Sequence, residues 1–319
     1  MPRKKYRQRS MDGTDIIKTR YHKSTNAART YFETSTQDPK EIMDIVEQEY
    51  KRDKFYCLTS GGKDSQTVLD FVNEIGKLTG VVHIKTNIGL SMTSDFVKDF
   101  CQSRGYPCHI IEPRHKYIYV ARVLEDGFPG PNQHSKIMAF LKYHTMRDFA
   151  LSMDKERHCM VSGVRKFESA RRKQRYVSPI QSDGSFWSCA PYFYKSDQDV
   201  YREFITKGLP ITPAYDRGFP TSGECLCGSF GSIDEKRKIG EVDPKLAEFI
   251  SWLEEGVKKF GTEKAKRYSS WGITGTTRME DLDRDGKLDD YQDIEAMICG
   301  QECGLGTMKE FETNPVNEK

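Results

Sequence analysis

Long apolar runs are missing from this sequence, and neither sign of charge dominates it. No stretch approaches the roughly 18 consecutive apolar residues that a membrane-spanning helix needs. The first residues also lack the apolar core of a signal peptide. Lys and Arg number 50 and Asp and Glu 47, so the formal net charge of +3 indicates no particular class of partner. We therefore expect a cytoplasmic protein without membrane contact.

Evenly paired cysteines are missing as well. The nine cysteines are an odd number, which argues against a fully paired extracellular disulfide framework. In a reducing compartment, closely spaced cysteines are more typical of metal or redox sites. Two such pairs occur, Cys225 with Cys227 and Cys299 with Cys303. The other five are isolated and are expected in the core: Cys57, Cys101, Cys108, Cys159 and Cys189.

Alternating strand and helix patterns begin near residue 38. Residues 1–37 are polar without a clear period, and the first ten include five basic residues and no acidic one. We interpret residues 1–37 as a loose basic arm, more typical of a solvated tail than of a nucleic-acid contact. Strands are predicted at residues 55–58, 81–86, 108–111 and 160–162. Helices are predicted at residues 39–49, from the turn that ends at residue 65 to about residue 77, and at residues 93–104, 134–152 and 244–260.

This alternation predicts an α/β fold, a doubly wound parallel sheet with helices on both faces. Residues 38–230 would form the main domain. Residues 231–319 would form a smaller helical region that contains cysteines and serves a substrate or a cofactor.

A glycine-rich turn joins the first predicted strand to its helix. It consists of Ser60, Gly61, Gly62, Lys63, Asp64 and Ser65. Two glycines let the backbone approach an anion closely, the lysine adds a mobile positive charge, and the helix N-terminus adds aligned N–H groups. The common nucleotide-triphosphate loop, G-x-x-x-x-G-K-[ST], is absent. The alternative is a turn that caps the helix through Asp64 or Ser65.

A second polar motif, "SGVRKFESARR" at residues 162–172, follows a predicted strand. Arg165, Arg171 and Arg172 suit phosphate or sulfate oxygens, because a guanidinium group binds them in a bidentate manner. Glu168 would orient one arginine or contact the ligand. The alternative is a solvated basic helix face, but ligands of open α/β sheets gather at the carboxyl ends of strands, which favours a site.

Together these two motifs resemble the phosphoadenosine phosphosulfate (PAPS) reductase family, within the adenine nucleotide alpha-hydrolase superfamily of N-type ATP pyrophosphatases. The likeness spans roughly residues 53–230. Supporting segments are "LPITPAYDRGF" at residues 209–219, "NIG" at residues 87–89 where the family usually has Asp-Thr-Gly, and "ECGLG" at residues 302–306 where it has Glu-Cys-Gly-Leu-His.

The resemblance implies that the loop holds phosphates of ATP, PAPS or adenosine phosphosulfate (APS), with Mg²⁺ as a candidate companion. It implies catalytic roles for Lys63, Asp64 and Cys303, and it places Lys142 near a family lysine that meets phosphate or sulfate. The nucleotide-binding residues it implies are Ser60, Gly61, Gly62, Lys63, Asp64, Ser65, Gly163, Arg165, Glu168, Arg171 and Arg172.

The paired cysteines allow two interpretations. Cys225, Cys227, Cys299 and Cys303 would ligate one four-thiolate centre, either a [4Fe–4S] cluster or zinc. Alternatively, Cys303 is a redox nucleophile on a C-terminal tail, as its resemblance to the reductases implies. The sequence departs from the reductase pattern: "HSKIMA" at residues 134–139 replaces a Cys-Cys pair, and Gly306 replaces a histidine. We favour the metal centre, with iron–sulfur ahead of zinc because relatives use it.

Cys225 and Cys227 alternate, so on a regular strand they would face opposite sides. A turn at Gly223 and Gly228 would bring them together.

An acidic stretch near the C-terminus matches the early positions of a calcium-binding loop. The matching residues are Asp281, Asp283, Asp285, Gly286 and Asp289. Gln292 stands where that loop requires a bidentate Glu, so we favour an acidic turn.

Three functions stay open. One is reduction of PAPS or APS to sulfite by Cys303 with a thioredoxin-type donor. Another is ATP-dependent adenylation and sulfur transfer to nucleic acid, as in tRNA thiolation or DNA phosphorothioation, with a cysteine desulfurase as sulfur source. The third is a nucleotide-binding module without catalysis. Adenine-nucleotide-dependent sulfur chemistry is the hypothesis that covers the first two.

Overall fold

A computed structural model of the chain describes residues 16–22, 27–153, 157–167 and 178–272. Within these ranges, eight strands form one sheet in the order β1-β2-β7-β8-β6-β3-β4-β5. The strands are β1 Ile16–His22, β2 Ala27–Phe32, β3 Lys54–Leu58, β4 Leu78–Ile84, β5 Cys108–Ile111, β6 His158–Val161, β7 Ile180–Ser182 and β8 Trp187–Cys189.

The sheet is mostly parallel, as predicted. Strands β8, β6, β3, β4 and β5 pair in parallel, and helices connect β3 to β4, β4 to β5 and β5 to β6. Strands β1, β2 and β7 add an antiparallel edge that the sequence did not predict. These strands and β8 escaped prediction because β7 and β8 have three residues each and β1 and β2 lack a clear alternation of apolar and polar residues.

The prediction of a loose arm over residues 1–37 is wrong where β2 pairs with both β1 and β7. Tyr31 and Phe32 in β2 are buried. The Ser178 hydroxyl also donates a hydrogen bond to the Phe32 carbonyl, which ties β2 to the segment before β7.

Ten α-helices lie within the described residues. They are α1 Pro39–Gln48, α2 Lys63–Glu74, α3 Ser91–Arg104, α4 Ile118–Asp126, α5 His134–Met138, α6 His144–Ser152, α7 Asp197–Thr206, α8 Ile233–Val242, α9 Pro244–Phe260 and α10 Glu263–Lys266. A π-helical segment, Ala139–Tyr143, joins α5 to α6, so the single helix predicted at residues 134–152 is widened in its middle. None of the described helices is long and apolar enough to cross a membrane.

Helices cover both faces of the sheet, which confirms the doubly wound arrangement. Phe55 and Cys57 of β3 pack in one apolar cluster with residues of α1, α2 and α3. Tyr56 and Leu58, which alternate with them, pack on the opposite face with the π-helical segment and α6. Strand β3 is thus the middle strand of the parallel part of the sheet. Ligands of such sheets bind at the carboxyl ends of the strands, where the loops from both faces lie.

Helices α8 and α9 share a further apolar cluster with α4 and with Ile88 and Leu90 after β4. Trp271 closes this cluster, and its indole Nε1 donates to the Leu226 carbonyl at 2.8 Å. The division of the chain at residue 230 stays a prediction.

Candidate nucleotide-binding site

The glycine-rich loop lies between the end of β3 and the start of α2, as predicted. Gly61 has φ +77°, in the left-handed region that favours glycine. The Gly61 N–H donates to Thr59 Oγ1 at 3.2 Å, and the Ser65 hydroxyl donates to the Gly62 carbonyl at 2.9 Å. Gly62 is the N-cap of α2, and no side chain caps it. The alternative of a helix-capping turn is therefore wrong, and the N-terminus of α2 faces the loop without a protein cap.

Close packing explains the glycines of both motifs. A Cβ atom at Gly62 would lie 3.1 Å from Tyr215 Oη, on the "LPITPAYDRGF" segment. At Gly163 it would lie 2.8 Å from the backbone carbonyl group of Asp64. The two glycines thus let this segment and the chain after β6 close around the first turn of α2.

Four charged side chains meet above this turn. Lys63 Nζ lies 3.1 Å from Asp64 Oδ2 and 2.6 Å from Asp197 Oδ1. Arg165 Nε lies 2.6 Å from Asp64 Oδ1, and Arg165 Nη2 lies 2.7 Å from Asp197 Oδ1. The two positive and two negative charges cancel. The structure thereby brings Lys63, Asp64 and Arg165 together, as the two motifs predicted.

Arg165 could donate one more hydrogen bond in this cluster. Its side chain is 1% exposed, and its Nη1 atom has no hydrogen-bond partner among the described residues. An unpaired donor on a buried cation is costly, so such a group indicates a place for a further acceptor beyond the described residues.

Asp64 is held as a carboxylate. Burial alone would raise its pKa, but the charges of Lys63 and Arg165 and their hydrogen bonds outweigh burial and lower the pKa below its ordinary value. Asp64 is therefore an acceptor of hydrogen bonds at neutral pH.

Asp197, which sequence reasoning missed, is the first residue of α7. It follows the N-cap Ser196, whose side chain accepts from the Asp199 N–H. The sequence signals a helix start here, but nothing in the spacing links Asp197 to a loop more than a hundred residues away.

Lys142 lies apart from the four-charge cluster. Its Nζ atom is 2.9 Å from Glu224 Oε2, and both side chains are buried. The Glu224 carbonyl accepts from Thr86 Oγ1 at 2.8 Å, and a Cβ atom at Gly89 would lie 2.0 Å from that same carbonyl oxygen. The "NIG" segment after β4 is thus packed directly on the chain before Cys225. A phosphate or sulfate role for Lys142 stays a prediction.

Cys225 and Cys227 turn towards one another. Gly223 and Gly228 have φ +68° and +89°, so the backbone turns where the sequence allowed it. Both thiols are buried, and Cys227 Sγ lies 3.2 Å from Ser229 Oγ and 3.6 Å from His134 Nδ1.

The pKa of Cys227 is lowered well below its ordinary value. A hydrogen bond from Cys225 is the largest cause, burial opposes it, and His134 adds to it. Sequence reasoning missed His134 as a neighbour of this pair, although it begins the segment that replaces the family's Cys-Cys pair.

These two thiols suit half of a four-thiolate centre, because they are adjacent, buried and biased towards the thiolate that metals bind. Residues 16–22, 27–153, 157–167 and 178–272 contain no group of three or more His, Cys, Asp and Glu side chains able to hold a metal ion. Other predicted site residues lie outside these ranges: Glu168, Arg171, Arg172, Cys299 and Cys303. The acidic stretch at residues 281–292 also lies outside them. The five isolated cysteines are buried, or half-buried for Cys108, as expected.

Comparison with known proteins agrees with this geometry. The family model described as phosphoadenosine phosphosulfate reductase domain matches residues 54–229, more than half of the chain. The chain therefore belongs to this family, and it is an enzyme, of a subclass that the match leaves open.

Among curated relatives, adenosine 5'-phosphosulfate reductase of Bacillus anthracis is 25% identical over 223 residues, covering 67% of this chain and 94% of the relative. The tRNA-cytidine(32) 2-sulfurtransferase of Delftia acidovorans is 24% identical over 254 residues, covering 76% and 73%. Among solved structures, PAPS reductase from Candida auris, in a phosphate complex, has a TM-score of 0.42 and 14% identity, covering 57% and 85%. A TM-score of this size supports no conclusion about ligand or activity.

Proposed function

We propose that this enzyme binds the phosphates of an adenine nucleotide at residues 60–65 and Arg165, and uses that nucleotide in sulfur chemistry. The observation that carries the proposal is the buried Arg165, which lies with Lys63 over the start of α2 and has one donor without a partner among the described residues. Two cations, a helix N-terminus and a loop with two adjacent glycines would form a site for an oxyanion.

The roles follow from chemistry. The loop N–H groups and the Ser60 and Ser65 hydroxyls would hold phosphate oxygens. Lys63 and Arg165 would neutralise their charge, and Asp64 would keep both cations in place. Glu168, Arg171 and Arg172 would complete the site from the segment that follows Arg165. Mg²⁺ would be a companion of the phosphates.

Reduction of an adenylyl sulfate is the first candidate reaction. It is the activity named for the Bacillus anthracis relative, of which this chain covers 94%. In this reaction the Cys303 thiolate attacks the sulfur of APS or PAPS and displaces the nucleotide. A thioredoxin-type dithiol then reduces the resulting S-sulfocysteine, forming its own disulfide and releasing sulfite.

ATP-dependent sulfur transfer to nucleic acid is the second candidate. It is favoured by His134 beside Cys227, in the segment that replaces the reductase Cys-Cys pair, and by the tRNA sulfurtransferase among the relatives. ATP would adenylate an oxygen of the acceptor with release of pyrophosphate. A cysteine desulfurase would supply the sulfur as a persulfide, whose terminal sulfur would displace AMP, and a thiol would then free the product by forming a disulfide with the carrier cysteine.

As the alternative to Cys303 as a free nucleophile, we propose that Cys225, Cys227, Cys299 and Cys303 ligate one centre, with [4Fe–4S] ahead of zinc. The adjacent, buried thiols of Cys225 and Cys227 support this assignment. The visible absorption spectrum and metal content of anaerobically purified protein test it. Zinc without iron, and no broad visible absorbance, would contradict the cluster.

A product assay separates the reactions. The protein is incubated with ATP, APS and PAPS in turn, with a thioredoxin-type reductant and with or without a tRNA pool, and pyrophosphate and sulfite are measured. Sulfite lost on Cys303→Ser supports the reductase, and pyrophosphate from ATP supports sulfur transfer. If neither product appears from metal-loaded protein that binds the nucleotides, the chemistry proposed here is wrong.

A further inference from the structure

Asp197 reaches the phosphate-binding cluster from α7, outside both sequence motifs. Its Oδ1 atom lies 2.6 Å from Lys63 Nζ and 2.7 Å from Arg165 Nη2. These are the two cations that the proposed function assigns to the phosphates. One carboxylate oxygen therefore lies between them, at the distances that a bound phosphate or sulfate oxygen would take.

The two carboxylates of the cluster differ in placement. Asp64 belongs to the first turn of α2, and its side chain is 16% exposed and bonded to Arg165 Nε. Asp197 shares the same cations but starts α7 and is 22% exposed. Rotation of the Asp197 side chain would take its charge out of the cluster and leave Asp64 to balance half of the positive charge.

That rotation would not disturb α7. The N-terminus of α7 is capped by Ser196, which accepts from the Asp199 N–H, while Asp199 Oδ2 accepts from the Ser196 N–H and hydroxyl. The helix start is therefore held by Ser196 and Asp199, and the side chain of Asp197 is not part of the cap.

We propose that Asp197 is a built-in competitor of the anionic ligand. It occupies the subsite for a phosphate or sulfate oxygen between Lys63 and Arg165, and the ligand displaces it. This inference rests on the proposed function, since it concerns the same anion site. Asp197 would also help the site to bind nucleotides in preference to small free anions. A small anion that displaces Asp197 only replaces the contacts that Asp197 makes with Lys63 and Arg165, whereas a nucleotide adds contacts with the loop.

The test is isothermal titration calorimetry, in which inorganic pyrophosphate is titrated in the presence of EDTA into the full-length protein and into its Asp197→Asn variant, and the two affinities are compared. Asp197→Asn should bind pyrophosphate about tenfold more tightly, as expected if roughly a tenth of the wild-type molecules have the subsite open. Asp199→Asn is the matched control. It removes the same charge two residues away, its carboxylate contacts no cation of the cluster, and its asparagine can still accept from Ser196. Its affinity should equal that of the wild type.

The outcomes are distinct. Affinity of Asp197→Asn equal to or below that of the wild type in EDTA would overturn the proposal. Binding weakened only when Mg²⁺ replaces EDTA would overturn it too, and would identify Asp197 as a metal ligand. Thermal unfolding followed by circular dichroism checks the fold, and Asp197→Ser serves as a second variant with the same expectation.

The proposed function is judged separately. If the folded wild type and Asp197→Asn bind neither pyrophosphate nor ATP, APS or PAPS, both the anion site and the inference fall. If the wild type binds and Asp197→Asn gains nothing, the inference about Asp197 alone is wrong.

Discussion

At the scale of one residue, Arg165 carries the proposal of an anion site. Its guanidinium is buried and contacts two carboxylates, yet Nη1 is unpaired among the described residues. Burial of a charged pair is tolerated only with good geometry and satisfied hydrogen bonds. Asp64 is the anion that pairs with Arg165 Nε, and the neighbouring cations keep its pKa low despite burial.

Glu235, in the first turn of α8, differs from Asp64, because burial outweighs the neighbouring groups that lower its pKa. Burial raises its pKa from the usual 4.5 to about 7, and the nearby Cys227 adds to the rise, while a backbone hydrogen bond from Ser232 opposes it. The folded protein therefore binds this proton more tightly than the unfolded chain does. Its contribution to stability is present below the unfolded pKa and is lost as the pH rises through the folded pKa.

Glu235→Gln should thus leave stability nearly unchanged at about pH 4 and raise the free energy of unfolding by about 2 kcal/mol at about pH 8. Urea unfolding at both pH values measures this. Asp234→Asn is the control, because Asp234 is exposed in the same turn, and it should change stability by less than ~0.5 kcal/mol at either pH. An equal effect of Glu235→Gln at both pH values would contradict the assignment.

At the scale of elements, the contact between the chain after β6 and the first turn of α2 positions the site. Gly163 lies against the Asp64 backbone, and Arg165, two residues later, reaches the Asp64 side chain. The two motifs are a hundred residues apart in the sequence, but β3 and β6 are neighbours in the sheet. Parallel pairing of these strands is what places both motifs at one carboxyl edge.

Gly163→Ala tests this contact. Because the new Cβ would lie 2.8 Å from backbone atoms of Asp64, the backbone must shift, and we expect a loss of about 2 kcal/mol in the free energy of unfolding together with weaker nucleotide binding. Gly240→Ala in α8, whose added Cβ meets nothing closer than 4.0 Å, should instead stabilise by about 0.5–1 kcal/mol. Chemical denaturation gives both values. If Gly163→Ala is as stable as the wild type, the close approach does not constrain the site.

Elements with strong hydrophobic periodicity and motifs with unusual composition could be predicted from the sequence. Strands β3 and β5 and helix α9 were predicted within one residue of their bounds. Strands β1, β2, β7 and β8 were missed, because strands that are short or lack a clear apolar alternation are stabilised mainly by their neighbours in the sheet. Asp197 and His134 were missed for a related reason: the partner that each contacts is distant in sequence and brought close by the fold.

At the scale of the whole molecule, the described C-terminal helices complete the part of the core that supports the cysteine pair. Helices α4, α8 and α9 share one cluster with Cys225 and Cys227, and Trp271 seals it. A Cβ atom at Gly231 would lie 2.5 Å from the Trp271 ring, so the fit between them is close. The cysteine pair is thus held by packing that comes from beyond the family match.

Trp271→Ala should therefore lower the free energy of unfolding by about 3–5 kcal/mol, since it empties a large buried site and leaves the Leu226 carbonyl without its donor. Trp252→Ala, at a side chain that is 60% exposed on α9, should cost less than ~1 kcal/mol. Urea unfolding compares the two variants. Equal stabilities would show that the Trp271 contact does not support the core.

The central claim is that residues 60–65 and Arg165 hold an adenine nucleotide, and calorimetric titration with ATP, APS and PAPS tests it most directly. We expect the wild type to bind at least one of the three. Lys63→Gln should weaken that binding about tenfold or more, a loss of about 1.4 kcal/mol. Lys195→Gln should not weaken it, because Lys195 Nζ pairs with Glu203 rather than with the cluster. Folded wild type that binds none of the three nucleotides, or Lys63→Gln that binds as tightly as the wild type, would contradict the claim.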